Sequence, residues 1–410
     1  MRILFGYFGS PDDISGVATW LIPLMARFVE EKWEVHCLVQ HFGKNPKQSQ
    51  IFQTAASLGV KAHLLPTGCY MERAVRETVR HIKRINPTVF LPQVLVGHYH
   101  AAIQARAAGL PFIYTMHSDD PLYWGILDEL LQRGSRAPVV CVSNYLKERV
   151  LAQFPDLDCR MIAYGVPCDS ARAQYSTNPF RVVYCGRLVE EQKRISAVVR
   201  SMIRICRQFE SVECCIIGDG AERAAVEAQI AAAKMSKRIL LLGRLSNDAS
   251  REQLSKCQAL LLLSEYEGLP LAVLEAMSVG VVPICRRIPS GIPELIANGE
   301  TGFLVGDGED EVENIIGSLL SKPEVWEAVS QAARQLIETR YSREKCNQSW
   351  IDLVVEIAKQ RTNTLDWNDK IPALLPPVNP QLKNYDFRTP PIHKRIYRRV
   401  RRFFVKGKAR

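Results

Sequence analysis

Nine short runs of apolar and β-branched residues recur along the chain, and stretches of helical character separate most of them. The runs are Ile3 to Tyr7, Val35 to Val39, Phe112 to Met116, Val139 to Val142, Val182 to Cys185, Cys214 to Ile217, Ile239 to Leu242, Leu260 to Leu263 and Val281 to Ile284. Most are continuous rather than alternating in hydrophobicity, so both faces of each strand must be covered. Strand, helix and strand in succession build parallel sheets with helices on both sides. Nine strands are too many for one comfortable sheet. A polar stretch, ARAQYSTNP (Ala171 to Pro179), follows a Tyr-Gly-Val turn and precedes a new strand, and it marks a break. The chain therefore reads as α/β, with two Rossmann-like domains. In such folds ligands bind beyond the carboxyl ends of the strands, which here means the cleft between the domains.

With 410 residues, 47% hydrophobic and 23% charged, the chain has length and composition enough for two globular domains. No window approaches the ~18 consecutive apolar residues of a membrane helix. The opening MRILFGYFG reads as a first strand rather than a secretory leader. Twelve cysteines are scattered without a CxxC pair, and Cys37, Cys141, Cys185 and Cys214 fall inside apolar runs. That usage fits reduced thiols in a cytoplasmic protein better than a disulfide framework. The net charge is +10, but His393 to Arg410 alone carries nine Lys and Arg and no acid, which leaves the body almost neutral. A nucleic-acid-binding fold would carry its positive charge on the folded domain, so that class is set aside.

The tail, IHKRIYRRVRRFFVKGKAR, follows a stretch from Thr362 to Pro391 with six prolines, which reads as a linker. Helical spacing would gather Ile392, Ile396, Val400, Phe403 and Phe404 on one stripe, with Lys and Arg opposite. Such a helix suits an anionic membrane surface. The competing readings are a solvated basic end and a segment docked on an acidic protein.

The stretch with the most chemistry is EYEGLPLAVLEAM, residues 265 to 277. It follows a buried run, ALLLL. Glu267 then lies in the loop at a strand's carboxyl end, Pro270 suits the first helical position, Glu275 falls in the second turn, and Gly280 suits the helix end. A helix start offers free N–H groups and a partial positive charge to a phosphate. Flanking carboxylates can accept hydrogen bonds from sugar or ribose hydroxyls. An isolated pair of glutamates eight apart would be an ordinary amphipathic helix; the Gly-Leu-Pro turn after a buried strand makes the pattern specific.

This stretch resembles the E-x7-E signature of the retaining GT-B glycosyltransferases of family 4. Other pieces match that family in order: ISGVATWL (Ile14 to Leu21), YTMHSDD (Tyr114 to Asp120), YCGRLVEEQKR (Tyr184 to Arg194), IIGDG at Gly218 to Gly220, LGRL (Leu242 to Leu245) and SGIPELIANGETGFLV (Ser290 to Val305). The resemblance covers roughly residues 1 to 360 and is tightest in the second half. It implies a GT-B fold, with an acceptor domain over 1–172 and a nucleotide-sugar donor domain over 173–342. A helix over 343–361 would cross back to the first domain, ahead of the linker at 362–392 and the tail at 393–410.

The resemblance also implies roles. Glu267 would hold donor-sugar hydroxyls and Glu275 the ribose. Arg187 and Lys193 would clamp the diphosphate as the sugar departs. The family spaces that lysine five residues after the arginine, but position 192 is Gln. Lys193 then takes the role with one residue looped out, and Arg194 is the alternative. Gly16 would let backbone approach phosphate or sugar. Gly186, Gly218, Gly243, Leu245, Gly268, Leu269 and Pro270 would complete the donor site. His117, at a strand end, would meet the donor sugar or stabilise positive charge through its neutral face. His98, His100 and Asp119 would face the acceptor; the HYH pair lacks a third ligand at a spacing that suits zinc. The implied reaction moves a sugar, with retention, from a UDP- or GDP-sugar to a glycan or lipid-linked acceptor in cell-surface polysaccharide or glycoconjugate synthesis. It needs no metal or cofactor. The enzyme would be cytoplasmic, and the basic tail would allow it a peripheral place at the inner face of the membrane. The competing readings are a retaining glycosidase and a non-catalytic nucleotide-sugar-binding partner of another transferase.

Overall fold

The computed structural model describes residues 1–9, 16–41, 49–66, 70–308, 310–367 and 382. Thirteen strands are present among them. The first seven are β1 (Arg2–Gly9), β2 (Glu34–His41), β3 (Lys61–Leu65), β4 (Val89–Pro92), β5 (Tyr114–Met116), β6 (Val139–Cys141) and β7 (Cys159–Met161). They pair in the orders β3-β2-β1-β4 and β5-β6-β7. A parallel bridge from Phe90 to Phe112 joins the two sets. The remaining six are β8 (Phe180–Cys185), β9 (Val212–Ile217), β10 (Ile239–Gly243), β11 (Ala259–Leu262), β12 (Val282–Arg286) and β13 (Phe303–Val305). They form one sheet in the order β10-β9-β8-β11-β12-β13. All named strand pairs are parallel.

All nine apolar runs fall on strands. The hydrophobic pattern alone does not mark β3, β4 or β7. β3 and β7 are short, part-exposed edge strands, and β4 ends at Pro92 inside a longer apolar run. β13 lies in the stretch whose resemblance implied a strand.

Both sheets have the same internal logic. In each, the chain adds three strands in one direction, returns across the first strand, and continues the other way. That reversal opens a crevice at the carboxyl ends of the first and fourth strands of each sheet, where such folds bind ligands. In the first sheet the crevice lies between β1 and β4. In the second it lies between β8 and β11.

The Arg343–Ala358 helix packs on the first domain. Its Trp350 is fully buried, with its ring 5.4 Å from Trp20 of the Gly16–Glu30 helix. The chain beyond it stays on that domain: the Thr362 and Asp366 N–H groups donate to the Gly109 and Ala108 carbonyls at 3.2 and 2.9 Å. Gly109 has φ +99, and a Cβ there would lie 2.0 Å from Thr362 Oγ1. Glycine is thus required twice over at this crossing. Residues 393–410, and most of 362–392, lie outside the described residues. The eleven described cysteines are free thiols. Among the described residues no helix is long and apolar enough to cross a membrane.

Candidate active site

The floor of the second crevice is bare backbone. Gly186 follows β8, Gly218 follows β9 and Gly243 ends β10, so three neighbouring strands finish in glycine. Gly218 has φ +140, and a Cβ on it would overlap the Gly186 carbonyl oxygen at 1.8 Å. The Gly186 N–H donates to Ile217 O and the Gly218 N–H to Gly243 O, at 2.9 and 2.8 Å. Side chains would fill this surface; glycines leave it open to a ligand. Leu245, in the loop after β10, is half-buried.

Charge enters from the two loops that flank the crevice. After β8, a one-turn helix, Glu190–Lys193, is closed by Arg194 in the left-handed conformation at φ 48. This turn absorbs the extra residue and aims consecutive basic side chains apart. Lys193 Nζ donates to Glu267 Oε1 at 2.5 Å, and both side chains are largely buried. Arg194 turns outward to Asp307 at 3.0 Å and Glu265 at 3.8 Å. Arg187 is exposed and donates to Gln192 Oε1 at 2.6 Å. Of the two candidates for the clamp, the structure brings Lys193 to Glu267 and takes Arg194 away.

After β11 the loop carries Glu267, Gly268 and Leu269, all buried, and leads into the Leu271–Ser278 helix. Pro270 is the N-cap, extended at φ −74 and ψ 108, rather than the first helical residue. Gly280, at φ +83, follows the C-cap. Glu275 has no hydrogen-bond partner for its carboxylate among the described residues. Burial pushes its pKa up to about 7, with Arg251 and Arg343 pulling the other way. Glu267 and Glu275 therefore sit in different surroundings: one is ion-paired, the other waits without a partner beside two guanidinium groups.

The first domain closes over this loop. A Cβ on Gly268 would lie 2.2 Å from the His117 carbonyl oxygen, and one on Gly291 would lie 2.5 Å from Gly268 O. Gly16 approaches Leu271, with a built Cβ 3.5 Å from Leu271 Cδ1. The Glu294 carboxylate accepts from the N–H groups of Asn144 and Tyr145, at 3.0 and 2.8 Å. This carboxylate from the second domain thus meets the start of a first-domain helix, Asn144–Gln153.

His117 is buried. Its Nδ1 lies 2.7 Å from the Tyr164 hydroxyl and its Nε2 lies 2.7 Å from Gln93 Oε1. Tyr164 stacks on the ring, and Trp20 and Tyr123 meet it edge-on. Burial lowers its pKa to about 3, so the ring is neutral. Both nitrogens are engaged within the protein, so a hydrogen bond from His117 to a sugar requires an exchange of partners.

Two of the three acceptor candidates, His98 and His100, are corrected. His98 is fully buried beneath β1, where a Cβ on Gly6 would press within 2.7 Å of its Nδ1. Burial lowers its pKa to about 4. His100 is buried against Glu129, at 4.0 Å. Two residues apart on a helix whose first turns are buried nearly all round, both are core histidines. Asp119 is taken up by Trp124 Nε1 at 2.7 Å, the Tyr145 hydroxyl at 2.8 Å and the Arg149 guanidinium.

Sequence reasoning missed Gln93, Tyr164, Trp20 and Glu294. Trp20, Tyr164 and Glu294 lie inside motifs that the sequence singled out, and Gln93 is a polar residue that interrupts the apolar run VFLPQVLV.

Comparison with known proteins bears on the family and the fold. The family profile "Glycosyltransferase Family 4" matches residues 14–170, and "Glycosyl transferases group 1" matches 169–336. N-acetyl-alpha-D-glucosaminyl L-malate synthase of Bacillus anthracis is 29% identical over 224 residues, which are 54% of this chain and 55% of that protein. Alpha-D-kanosaminyltransferase of Streptomyces kanamyceticus is 28% identical over 272 residues, 60% of this chain and 70% of that one. The chain thus spans little more than half the length of the first of these relatives. Among solved structures, Anabaena Alr3699/HepE in complex with UDP-glucose superposes with a TM-score of 0.70 at 17% identity, covering 87% of this chain and all of that one. With both halves of the chain matched and the two-sheet architecture shared, the protein belongs to the group 1 glycosyltransferases of the GT-B fold.

Proposed function

We propose that the protein transfers a sugar, with retention, from a UDP- or GDP-sugar to a hydroxyl of a glycan or lipid-linked acceptor, without a metal. The observation that carries this reading is the Lys193–Glu267 pair, set at the reversal of the second sheet above a floor of glycine backbone. The nucleotide-sugar diphosphate lies on that floor. Lys193, Arg187 and the start of the Leu271–Ser278 helix meet the charge that grows on it as the sugar departs. Glu275 holds the ribose. Glu267, drawn from Lys193 to the donor sugar, accepts its hydroxyls most strongly in the transition state.

The bond from the anomeric carbon to the departing phosphate oxygen breaks. The acceptor oxygen bonds the same carbon on the same face, and the acceptor proton passes to the departing phosphate. His117, neutral, takes no part in proton transfer. The glycosidase reading asks two carboxylates to bracket one bond. The ion pair of Glu267 and the separate setting of Glu275 speak for unequal roles instead.

Residues 393–410 are assigned to an anionic membrane surface, which would bring a lipid-linked acceptor within reach at the cytoplasmic face; salt-sensitive binding of the full chain to anionic vesicles tests this. The relatives bear names of sugar-transferring enzymes, which supports sugar transfer; polysaccharide or glycoconjugate synthesis is the setting assigned to it. The test of the whole reading is a thermal-shift screen of UDP-, GDP-, ADP- and TDP-sugars, followed by slow hydrolysis of the donor that binds. A ligand at ~100 times its dissociation constant adds ~2.7 kcal/mol of apparent stability. Binding without any turnover would favour the non-catalytic partner.

A further inference from the structure

The reversal of the first sheet opens a crevice of its own between β1 and β4. Gln93 stands there, immediately after β4, its N–H bonded to Gly6 O of β1 at 2.7 Å. The next residue, Val94, has φ +61, and the Leu95 N–H reaches back to Gln93 O at 2.6 Å. This is a γ-turn of the strained left-handed kind, built on a β-branched residue with no glycine to ease it. Strain of this sort persists where the surroundings fix the backbone, and it concentrates at functional sites.

The side chain of Gln93 is fully buried and only half satisfied. Its Oε1 lies 2.7 Å from His117 Nε2, while its amide nitrogen has no partner among the described residues. A carboxamide oxygen can only accept, so Nε2 of His117 carries the ring proton and Nδ1 accepts from the Tyr164 hydroxyl at 2.7 Å. Trp20, whose ring centroid is 5.4 Å from that of His117, has a buried Nε1–H that is also without a partner among the described residues. Two unmet N–H donors thus flank one neutral imidazole. A buried donor without an acceptor is costly, so the two together near the reversal of the first sheet ask for a missing acceptor. The surroundings define it. His117, Tyr164, Tyr123 and Trp20 are neutral and aromatic, which suits an uncharged sugar ring rather than a phosphate.

We propose that Gln93 and Trp20 form a sugar-hydroxyl subsite in the first-domain crevice, in which the Gln93 amide and the Trp20 indole donate to hydroxyl oxygens and His117 orients Gln93 from behind. The inference rests on the proposed function for the identity of the reaction, but not for the binding event. Substrate entry then gives both donors the acceptor they lack.

The test uses the full chain. Its Gln93 amide and Trp20 indole N–H signals are followed by 15N–1H NMR while glucose, galactose, N-acetylglucosamine and their UDP conjugates are titrated. Gln93→Leu and Trp20→Phe are compared with the wild type for binding, nucleotide-sugar hydrolysis and melting temperature. Saturable shifts of both signals with at least one sugar are expected. Each variant should lose about tenfold in kcat/KM, the worth of one hydrogen bond, with little change in UDP affinity. Trp20→Phe should keep its melting temperature, because an unmet donor is removed, whereas Gln93→Leu also strips the His117 Nε2–H of its acceptor and should melt lower. Turnover by the wild type with undiminished kcat/KM in both variants overturns the subsite and leaves the proposed function standing. Sugar-dependent shifts with no turnover of any nucleotide sugar do the reverse. No shift with any titrant, or a proton on Nδ1 rather than Nε2 of His117, overturns the subsite outright.

Discussion

The two crevices share a topology and differ in charge. The one in the second sheet is flanked by Lys193, Glu267 and Arg187 over bare glycine backbone. The one in the first sheet holds a neutral histidine, a carboxamide and aromatic rings. The reversal of strand order creates both sites, but chemistry divides them. A departing diphosphate develops charge that only cations and a helix start can meet. A sugar or acceptor hydroxyl needs only neutral donors and acceptors at fixed places. The difference also bears on what a sequence discloses. Charged clamps and glycine floors demand particular residue types at fixed spacing from a strand end, whereas a neutral hydroxyl site can be assembled from any of several polar or aromatic residues drawn from distant positions.

Breaking the charged crevice should have the largest effect. Glu267→Ala should lower kcat by about 100-fold or more, with a smaller change in donor affinity, because its contacts count most in the transition state. Steady-state kinetics with the donor found by screening will show it, and near-normal turnover would remove Glu267 from its role.

The seam between the crevices comes next. Gly268→Ala sets a methyl against the His117 carbonyl, where a Cβ would stand at 2.2 Å. Turnover should fall about tenfold, while nucleoside diphosphate affinity, assigned here mainly to the second domain, stays within about twofold. Equal losses in both would mean that the two sides cannot be separated.

Glu275 sharpens the contrast through pH. Its carboxyl is raised to about 7, while His117 is lowered to about 3. Ionised Glu275 accepts ribose hydroxyls better than the acid does, so nucleotide affinity should drop several-fold between about pH 8 and about pH 6. Glu275→Gln should flatten that profile, and His117 should contribute nothing to it. Stability responds with the opposite sign: a raised carboxyl pKa means that the folded state holds the proton more tightly, so Glu275 costs stability as pH climbs from about 4.5 through about 7.

Much of the second domain is legible in the sequence, because β8 to β12 each carry a short apolar run and the loops after them carry glycine and charge. The placement of Lys193 is half legible: the spacing shows an extra residue, but only the left-handed turn at Arg194 reveals which cation stays inside. The first domain is harder to read. β4 runs through Pro92 into the apolar VLV, because the γ-turn at Val94 has no glycine or asparagine to announce it. His98 and His100 look like a pair in sequence, yet a helix buried nearly all round hides them both. The Glu294 contact joins residues 150 apart, beyond the reach of any local pattern.

The central claim is that the second crevice takes the donor diphosphate through Lys193. Calorimetric titration of the full chain with the nucleoside diphosphate of the screened donor tests it directly, comparing wild type, Lys193→Ala and Arg194→Ala. The account predicts that Lys193→Ala weakens binding by about tenfold or more, as loss of a charge-assisted contact should, and that Arg194→Ala stays within about twofold. Unchanged affinity in Lys193→Ala, or a larger loss in Arg194→Ala, would contradict it.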